Sequence, residues 1–217
     1  MKGMLIKDWK LMKGQKNFFI LIFIVALGMT IFGDDTSFAL GFLSFVVSLF
    51  TISTISYDEF DNGNAFLFTL PITRTNYAIE KYVLGLLLGA GGWLLALVVV
   101  ILSNLFKETM PVLDIIRIAT MIFPVMLVIL AFMIPFQLKF GSEKGRIAII
   151  GAVGLTLLLG IGVVKVAELL SIDLISMFNN VAEMNFGMLL VVVLGIALII
   201  CAISMTISIS IMKKKEF

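Results

Sequence analysis

Long apolar segments alternate with short polar ones along the chain. Six segments of 17 residues or more contain no Asp, Glu, Lys or Arg. A helix rises about 1.5 Å per residue, so about 20 apolar residues cross a hydrocarbon core about 30 Å thick. The pattern predicts an all-α, polytopic membrane protein with a single transmembrane domain over residues 1–217. The predicted spans cover about residues 17–33, 36–57, 82–106, 118–138, 147–164 and 187–212.

The polar segment before the first span has a helical pattern of its own. Leu5, Trp9 and Met12 recur at spacings of four and three, which places them on one helix face while lysines occupy the others. Because Trp prefers the membrane–water interface, we predict an amphipathic helix lying on the inner leaflet. A disordered basic leader is the alternative. A cleaved signal peptide is disfavoured by the length of this leader and by the uninterrupted apolar run.

Small and hydroxyl-bearing residues form stripes on two spans. Ser44, Ser48 and Thr51 lie on one face of the second span. Gly85 and Gly89 have the spacing that lets two helix backbones approach closely on the third. We interpret the hydroxyl stripe as helix packing, with a substrate path as the alternative. For the glycines, a contact within the chain and a contact with a second copy are both open.

Two further spans contain residues that disturb a simple helix pattern. Pro124 and Pro135 each remove a helical hydrogen bond in the fourth span, so bends are expected there unless neighbours compensate. Four hydroxyl residues alternate in the last span, but a lone strand cannot satisfy its backbone in lipid. We therefore predict a helix with two adjacent hydroxyl rows, formed by Ser204, Thr206, Ser208 and Ser210.

Composition agrees with a lipid-embedded chain. Hydrophobic residues make up 61% and charged residues 14%, against about 45–50% and about 25% in soluble proteins. Six spans leave no room for a soluble catalytic domain. The chain has no His and one Cys, Cys201, so it lacks the usual ligands and reagents of metal or hydrolytic chemistry. We expect no metal site, no enzyme activity and no nucleic-acid partner.

The basic residues are distributed unevenly between the polar segments. With both termini inside, 13 of the 16 Lys and Arg residues lie in cytoplasmic segments and three lie outside. Cytoplasmic segments of membrane proteins collect Lys and Arg. The distribution predicts that both termini are cytoplasmic. The abundance of Lys, Ile and Phe suggests a bacterial plasma membrane.

The most distinctive polar segment lies between the second and third spans. It begins with acidic residues and then places aromatic and aliphatic side chains on the cytoplasmic side, where charge-rimmed apolar residues are typical of a contact surface. Thr73 is expected to cap a helix leading into the third span, with Pro71 ending what precedes it. The candidate contact residues are Asp58, Glu59, Phe66, Phe68, Leu70, Pro71 and Arg74.

Three short motifs resemble those of a known family, the membrane subunits of ABC-2 type transporters. One is the start of the chain, with Met1-Lys2-Gly3 and Leu5-Ile6-Lys7-Asp8. Another is Ser56-Tyr57-Asp58-Glu59 at the end of the second span. The third is Leu70-Pro71-Ile72-Thr73-Arg74, followed by Tyr77 and Lys81. The span number and order also fit over the whole chain.

The resemblance implies a division of labour between chains. In that family the loop after the second span forms a coupling helix that sits in a groove of a separate ATPase subunit, which binds ATP and Mg²⁺. The amphipathic N-terminal helix lies nearby, and two permease subunits, identical or similar, face each other. This chain contains no G-x-x-x-x-G-K-[ST] phosphate loop. Similar small permeases export amphipathic or antimicrobial peptides, including phenol-soluble modulins.

Two other classes of function remain as alternatives. An ion-coupled secondary transporter usually carries ionisable groups inside its spans, and the middles of these spans contain none. A membrane immunity or interaction protein that transports nothing is the second alternative. Association with an ATPase distinguishes it from an exporter.

Overall fold

The computed structural model describes residues 2–33, 36–60, 63–107, 109–169 and 185–215, and for Thr36 and most of 142–169 it describes the backbone alone. The described ranges are helical and contain no strand. The helices are α1 (Lys2–Gly14), α2 (Lys16–Phe32), α3 (Thr36–Glu59), α4 (Gly63–Leu67), α5 (Arg74–Lys107), α6 (Val112–Leu169) and α7 (Phe186–Lys214).

Among the described residues, four helical segments are long and apolar enough to cross a membrane. They are Ser37–Glu59, Arg74–Lys107, Val112–Gly141 and Phe186–Lys214, which contain the predicted second, third, fourth and sixth spans. Helices α1 and α2 meet at 67° and together form a fifth span if counted as one. The predicted fifth span, 147–164, has a helical backbone, but its side chains lie outside the described set.

The break in the helical backbone of α6 does not lie at either of its two prolines. The backbone stays helical through Pro124 and Pro135, and its non-helical residue is Gly141, with φ 71° and ψ −176°. Glycine adopts positive φ without the steric cost that a Cβ imposes. The described backbone therefore has a kink at Gly141, just after the predicted fourth span ends.

Helix α3 lies at the centre of the bundle, against α2, α5 and α6. The hydroxyl stripe on α3 is buried. Ser44 donates to the Leu40 carbonyl at 2.7 Å and Ser48 to the Phe45 carbonyl at 2.9 Å. Hydroxyls satisfied by their own helix in this way need no partner across the interface. Ser44 and Ser48 therefore provide a narrow surface for a neighbouring helix with their hydroxyls satisfied, whereas the buried Thr51 hydroxyl has no hydrogen-bond partner.

The glycines of α5 lie against that surface. A Cβ on Gly85 would be 3.4 Å from Thr51 Oγ1, and one on Gly89 would be 3.3 Å from Ser48 Cβ. These distances are at or inside ordinary contact, so the missing side chains let the two backbones approach. Of the two contacts left open by the sequence, the structure places these glycines in the one within the chain.

Helix α7 is attached to α5 through the hydroxyl rows of the last span. Tyr82 Oη lies 2.6 Å from Ser204 Oγ and 2.8 Å from Ser208 Oγ. Both serines are buried, whereas Thr206 and Ser210 on the adjacent row are exposed. The predicted helix with two hydroxyl rows is confirmed.

Two adjacent glycines of α5 provide a matched test of this packing. A Cβ on Gly92 would lie 2.8 Å from Val47 Cβ and 3.2 Å from the Leu43 carbonyl oxygen, whereas one on Gly91 meets nothing within 4 Å. Overpacking costs about 1–3 kcal/mol, and both substitutions gain the same helix propensity. Gly92→Ala should therefore unfold at lower temperature in detergent than Gly91→Ala. Equal melting temperatures would show that α3 and α5 are not this close.

Candidate functional site

The end of the bundle that carries α1, residues 58–60 and 63–74, and the end of α7 up to Lys215 is referred to below as the charged end. At its centre the Lys81 side chain is fully buried near the start of α5. Its ammonium lies 2.6 Å from Asp8 Oδ2, 2.9 Å from Asp58 Oδ2 and 3.1 Å from Thr54 Oγ1. An ammonium has three N–H donors. These three partners use all of them.

Asp58 extends the cluster to α1 and further along α5. The Lys7 ammonium donates to Asp58 Oδ1, and the Tyr77 hydroxyl donates to Asp58 Oδ2 at 3.1 Å. Lys7 also lies 3.1 Å from Asp8 Oδ1. Charges removed from water need paired partners of this kind to offset the cost of desolvation. The cluster therefore joins α1, α3 and α5 at one point.

Two cations, Arg74 and Lys215, attach the end of α7 to the rest of the charged end. Lys215 Nζ lies 2.9 Å from Glu59 Oε1 and 2.9 Å from the Leu138 carbonyl oxygen. Arg74 donates to the carbonyls of Met212 at 3.3 Å and Lys213 at 3.2 Å, and to that of Lys215. The last carbonyls of a helix have no partner within it and attract positive charge. Arg74 thus caps α7.

The loop between α3 and α5 exposes apolar side chains at this end. Phe66 is 72% exposed on the five-residue helix α4, and Phe60 and Leu70 are also exposed. Leu67 points inward and is buried. The Thr73 hydroxyl accepts a hydrogen bond from the backbone N–H of Asn76 at 3.1 Å, and α5 begins at Arg74. The predicted Thr73 cap is confirmed.

The structure divides the candidate contact residues into two sets. Asp58, Glu59 and Arg74 turn inward and form the pairs described above. Phe68 packs edge-on against the Tyr77 ring, 5.7 Å between centroids, and Arg74 lies 5.8 Å from the Phe68 ring centre. The exposed members are Phe66, Leu70 and Pro71. Three of the four predicted apolar anchors are therefore exposed, whereas Phe68 packs within the chain. The predicted orienting charges form ion pairs and hydrogen bonds inside the same chain.

The three residues predicted to share a face of α1 do not share an environment. Leu5 and Met12 pack against the core, whereas Trp9 is exposed with Lys13 6.0 Å from its ring centre. The polar and glycine stripes lie within the bundle's helix contacts and begin one helical turn from Thr54 and Lys81. Their residues are Ser44, Ser48, Thr51, Gly85 and Gly89.

Sequence reasoning missed the buried charges of this end. Asp8 and Lys81 were singled out from the sequence only as parts of short motifs, yet both side chains are buried. A signal was present: Asp8 lies four residues after Met4 and four before Met12, inside the apolar stripe of α1. An acid at a core position requires a buried cation, and Lys81 is that cation.

A second feature lies on the side of the bundle, between α6 and α7. It is an open groove of about 520 Å³ lined almost entirely by apolar side chains. Phe132, Phe136 and Phe140 follow one another along it at centroid distances of 5.0 and 6.0 Å. Lys139 lies at one end of the groove. Its lining suits a hydrophobic ligand with a polar or anionic end.

The fold is that of a polytopic membrane protein: a bundle of helices with an exposed aromatic loop at one end. Residues 3–213 match the family model of ABC-2 family transporter proteins. The match spans nearly the whole chain, and the chain belongs to that family. No match is found among curated proteins or among solved structures.

The buried cluster should contribute far more stability than an exposed ion pair of the same chain. Lys81→Met leaves carboxylates buried without their partner, which costs about 3–5 kcal/mol. The matched control is Arg117→Met, because Arg117 and Asp114 are 3.0 Å apart but 49% and 45% exposed; that pair contributes at most about 1 kcal/mol. Denaturant unfolding in detergent measures both. Equal losses would contradict the assignment of Lys81 as the central residue of the charged end.

Proposed function

We propose that this chain is the permease subunit of an ATP-driven ABC exporter in a bacterial plasma membrane. Membership of the ABC-2 family implies association with an ABC ATPase and with the membrane. The observation that carries the proposal further is the apolar surface around Phe66, held rigidly at the end of the bundle where both described chain ends meet.

The ATPase contact consists of the exposed apolar residues of the loop. Apolar side chains exposed beside charges mark protein contact sites, and a few buried aromatic anchors provide most of the affinity of such sites. Phe66, Leu70 and Pro71 are the anchors. Asp58, Glu59 and Arg74 act indirectly, because their partners fix α3, α5 and α7 beneath the loop. Movement of the ATPase is then transmitted to three helices together.

The charged end faces the cytoplasm and both termini lie there. The Lys-rich first helix, the loop and the final lysines all lie at this end of the bundle. Their common position supports the assignment made from the distribution of basic residues. An ATPase working on cytoplasmic ATP and Mg²⁺ requires the same orientation, and hydrolysis occurs on that partner rather than on this chain.

The substrate is hydrophobic or amphipathic, and an amphipathic peptide of the antimicrobial or phenol-soluble modulin type fits best. The groove between α6 and α7 supports this choice, because apolar side chains line it and Lys139 lies at one end. The groove opens on the side of the bundle, so a second permease subunit is required to enclose a path. The functional unit is thus two permeases with two ATPases, and the direction is export.

Removing one exposed aromatic ring tests the ATPase contact. Phe66→Ala should weaken binding of the ABC ATPase by about 2 kcal/mol, or about thirtyfold in Kd. The control is Phe106→Ala, which removes a ring that is 90% exposed at the opposite end of α5. Both variants should insert normally, and only the first should lose co-purifying ATPase and peptide-stimulated hydrolysis.

Unchanged ATPase binding by Phe66→Ala argues against the contact. A chain that binds no ABC ATPase at all, yet protects cells from a peptide, would instead indicate the immunity alternative. Ion-driven uptake without ATP would indicate a secondary transporter.

Cysteine labelling at the same two positions tests orientation. In a Cys201→Ser background, a membrane-impermeant maleimide should react in intact cells with Cys at position 106 and not with Cys at position 66. Permeabilised cells should be labelled at both positions, since both side chains are exposed. Labelling of position 66 alone in intact cells would show that the orientation is the opposite one. The loop would then lie outside the cell, where a cytoplasmic ATPase could not contact it.

A further inference from the structure

Glu80 lies beside the Lys81 cluster but takes no part in its hydrogen bonds. The residue is fully buried on α5, and neither carboxyl oxygen has a hydrogen-bond partner. Its Oε2 is 3.6 Å from the Lys81 ammonium, whose three donors already serve Asp8, Asp58 and Thr54. A buried carboxylate without a donor is strongly unfavourable.

Asp8 is the acid that shares the Lys81 ammonium with Glu80: Lys81 Nζ lies 2.6 Å from Asp8 Oδ2 and 3.6 Å from Glu80 Oε2, so the two buried carboxyl groups are adjacent. Asp8 Oδ1 has the Lys7 ammonium as an ionic partner at 3.1 Å, but its geometry makes no hydrogen bond. Two ionised carboxylates cannot bond to each other, because both are acceptors. One proton placed on Glu80 turns it into a donor to Asp8 and satisfies both groups.

The charges that surround Glu80 balance only when that proton is present. Glu80 is joined through the Lys81 ammonium, 3.6 Å from its Oε2, to a cluster made of Lys7 and Asp8 of α1, Asp58 of α3, and Lys81 and the Tyr77 hydroxyl of α5. The two ammonium groups match the two aspartates. An ionised Glu80 would add an unmatched negative charge inside the cluster, beside another carboxylate.

We propose that Glu80 and Asp8 form a buried proton-binding site that holds α1 against α5. Atoms and charges balance simply: a proton from the solvent bonds to a Glu80 carboxyl oxygen, which then donates to Asp8 Oδ1. Docking of α1 takes up this proton, so docking weakens as the pH rises and the proton is lost.

The connection between α1 and α2 allows such a release. The two helices meet at 67° around Gln15, whose backbone (φ −94°, ψ 23°) departs from the helix. Met4 is 4% exposed and packs in the cluster that contains Tyr77 and Ala78, whereas Ile6 on the same helix is 56% exposed. Undocking of α1 would therefore expose position 4 and leave position 6 as it is.

Thiol labelling of these two positions measures the release. Met4→Cys and, as the matched control, Ile6→Cys are placed separately in a Cys201→Ser chain, purified in detergent and reacted with a maleimide from pH 5 to pH 9. The ratio of the two rates cancels the ordinary pH dependence of thiols. The labelling rate at position 4 divided by that at position 6 should rise with pH, by at most about tenfold per pH unit for one proton. Glu80→Gln should keep it low and constant, because the neutral amide donates to Asp8 at every pH.

Infrared spectroscopy provides an independent measurement of the proton. The parent chain at acidic pH should show the carbonyl stretch of a protonated carboxyl group, and Glu80→Gln should lack that band. A labelling ratio independent of pH in the parent chain would overturn the proposal. So would a Glu80→Gln variant that retains the parent's pH profile, exposes position 4 at acidic pH or keeps the band.

Discussion

A single buried ammonium, that of Lys81, holds the charged end of this protein together. A cation removed from water needs all of its donors satisfied by acceptors in fixed places, and those acceptors come from α1 and α3 while Lys81 itself belongs to α5. None of the three helices can shift without leaving a charge unpaired. The loop between α3 and α5 is attached at both ends to this point, so its exposed rings stand on a rigid base.

The need to pair buried charges gives the charged and the apolar residues of the loop between α3 and α5 different roles. The loop's charged residues are used internally, with Asp58 on Lys81 and Glu59 on Lys215. Its apolar residues Phe66 and Leu70 are exposed instead. In most interfaces the anchors are aromatic and the charges set orientation at the rim. Here the charges hold the helices of the same chain together, and in the proposed complex the ATPase contacts the apolar anchors alone.

Much of the membrane architecture was predictable, because a bilayer imposes length and polarity on each helix. The sequence predicted helices over the second, third, fourth and sixth spans, the Thr73 cap and the two hydroxyl rows of the last span. It did not predict that Asp8 and Lys81 meet, since they are 73 residues apart and periodicity carries no information on which faces pair. The sequence also left open whether the helix continues through Pro124 and Pro135, as the backbone of α6 does, because compensation by neighbouring helices is a tertiary effect.

The central claim is that the loop surface around Phe66 is where this permease meets its ATPase. Photo-crosslinking tests it most directly, with a photoreactive amino acid at position 66 and, in a separate chain, at position 106, followed by illumination of native membranes. The account predicts that position 66 crosslinks to an ABC ATPase, identified by its phosphate-binding loop peptide, and that position 106 does not. Crosslinking of position 66 to lipid alone, with the ATPase present in the membrane, would contradict it.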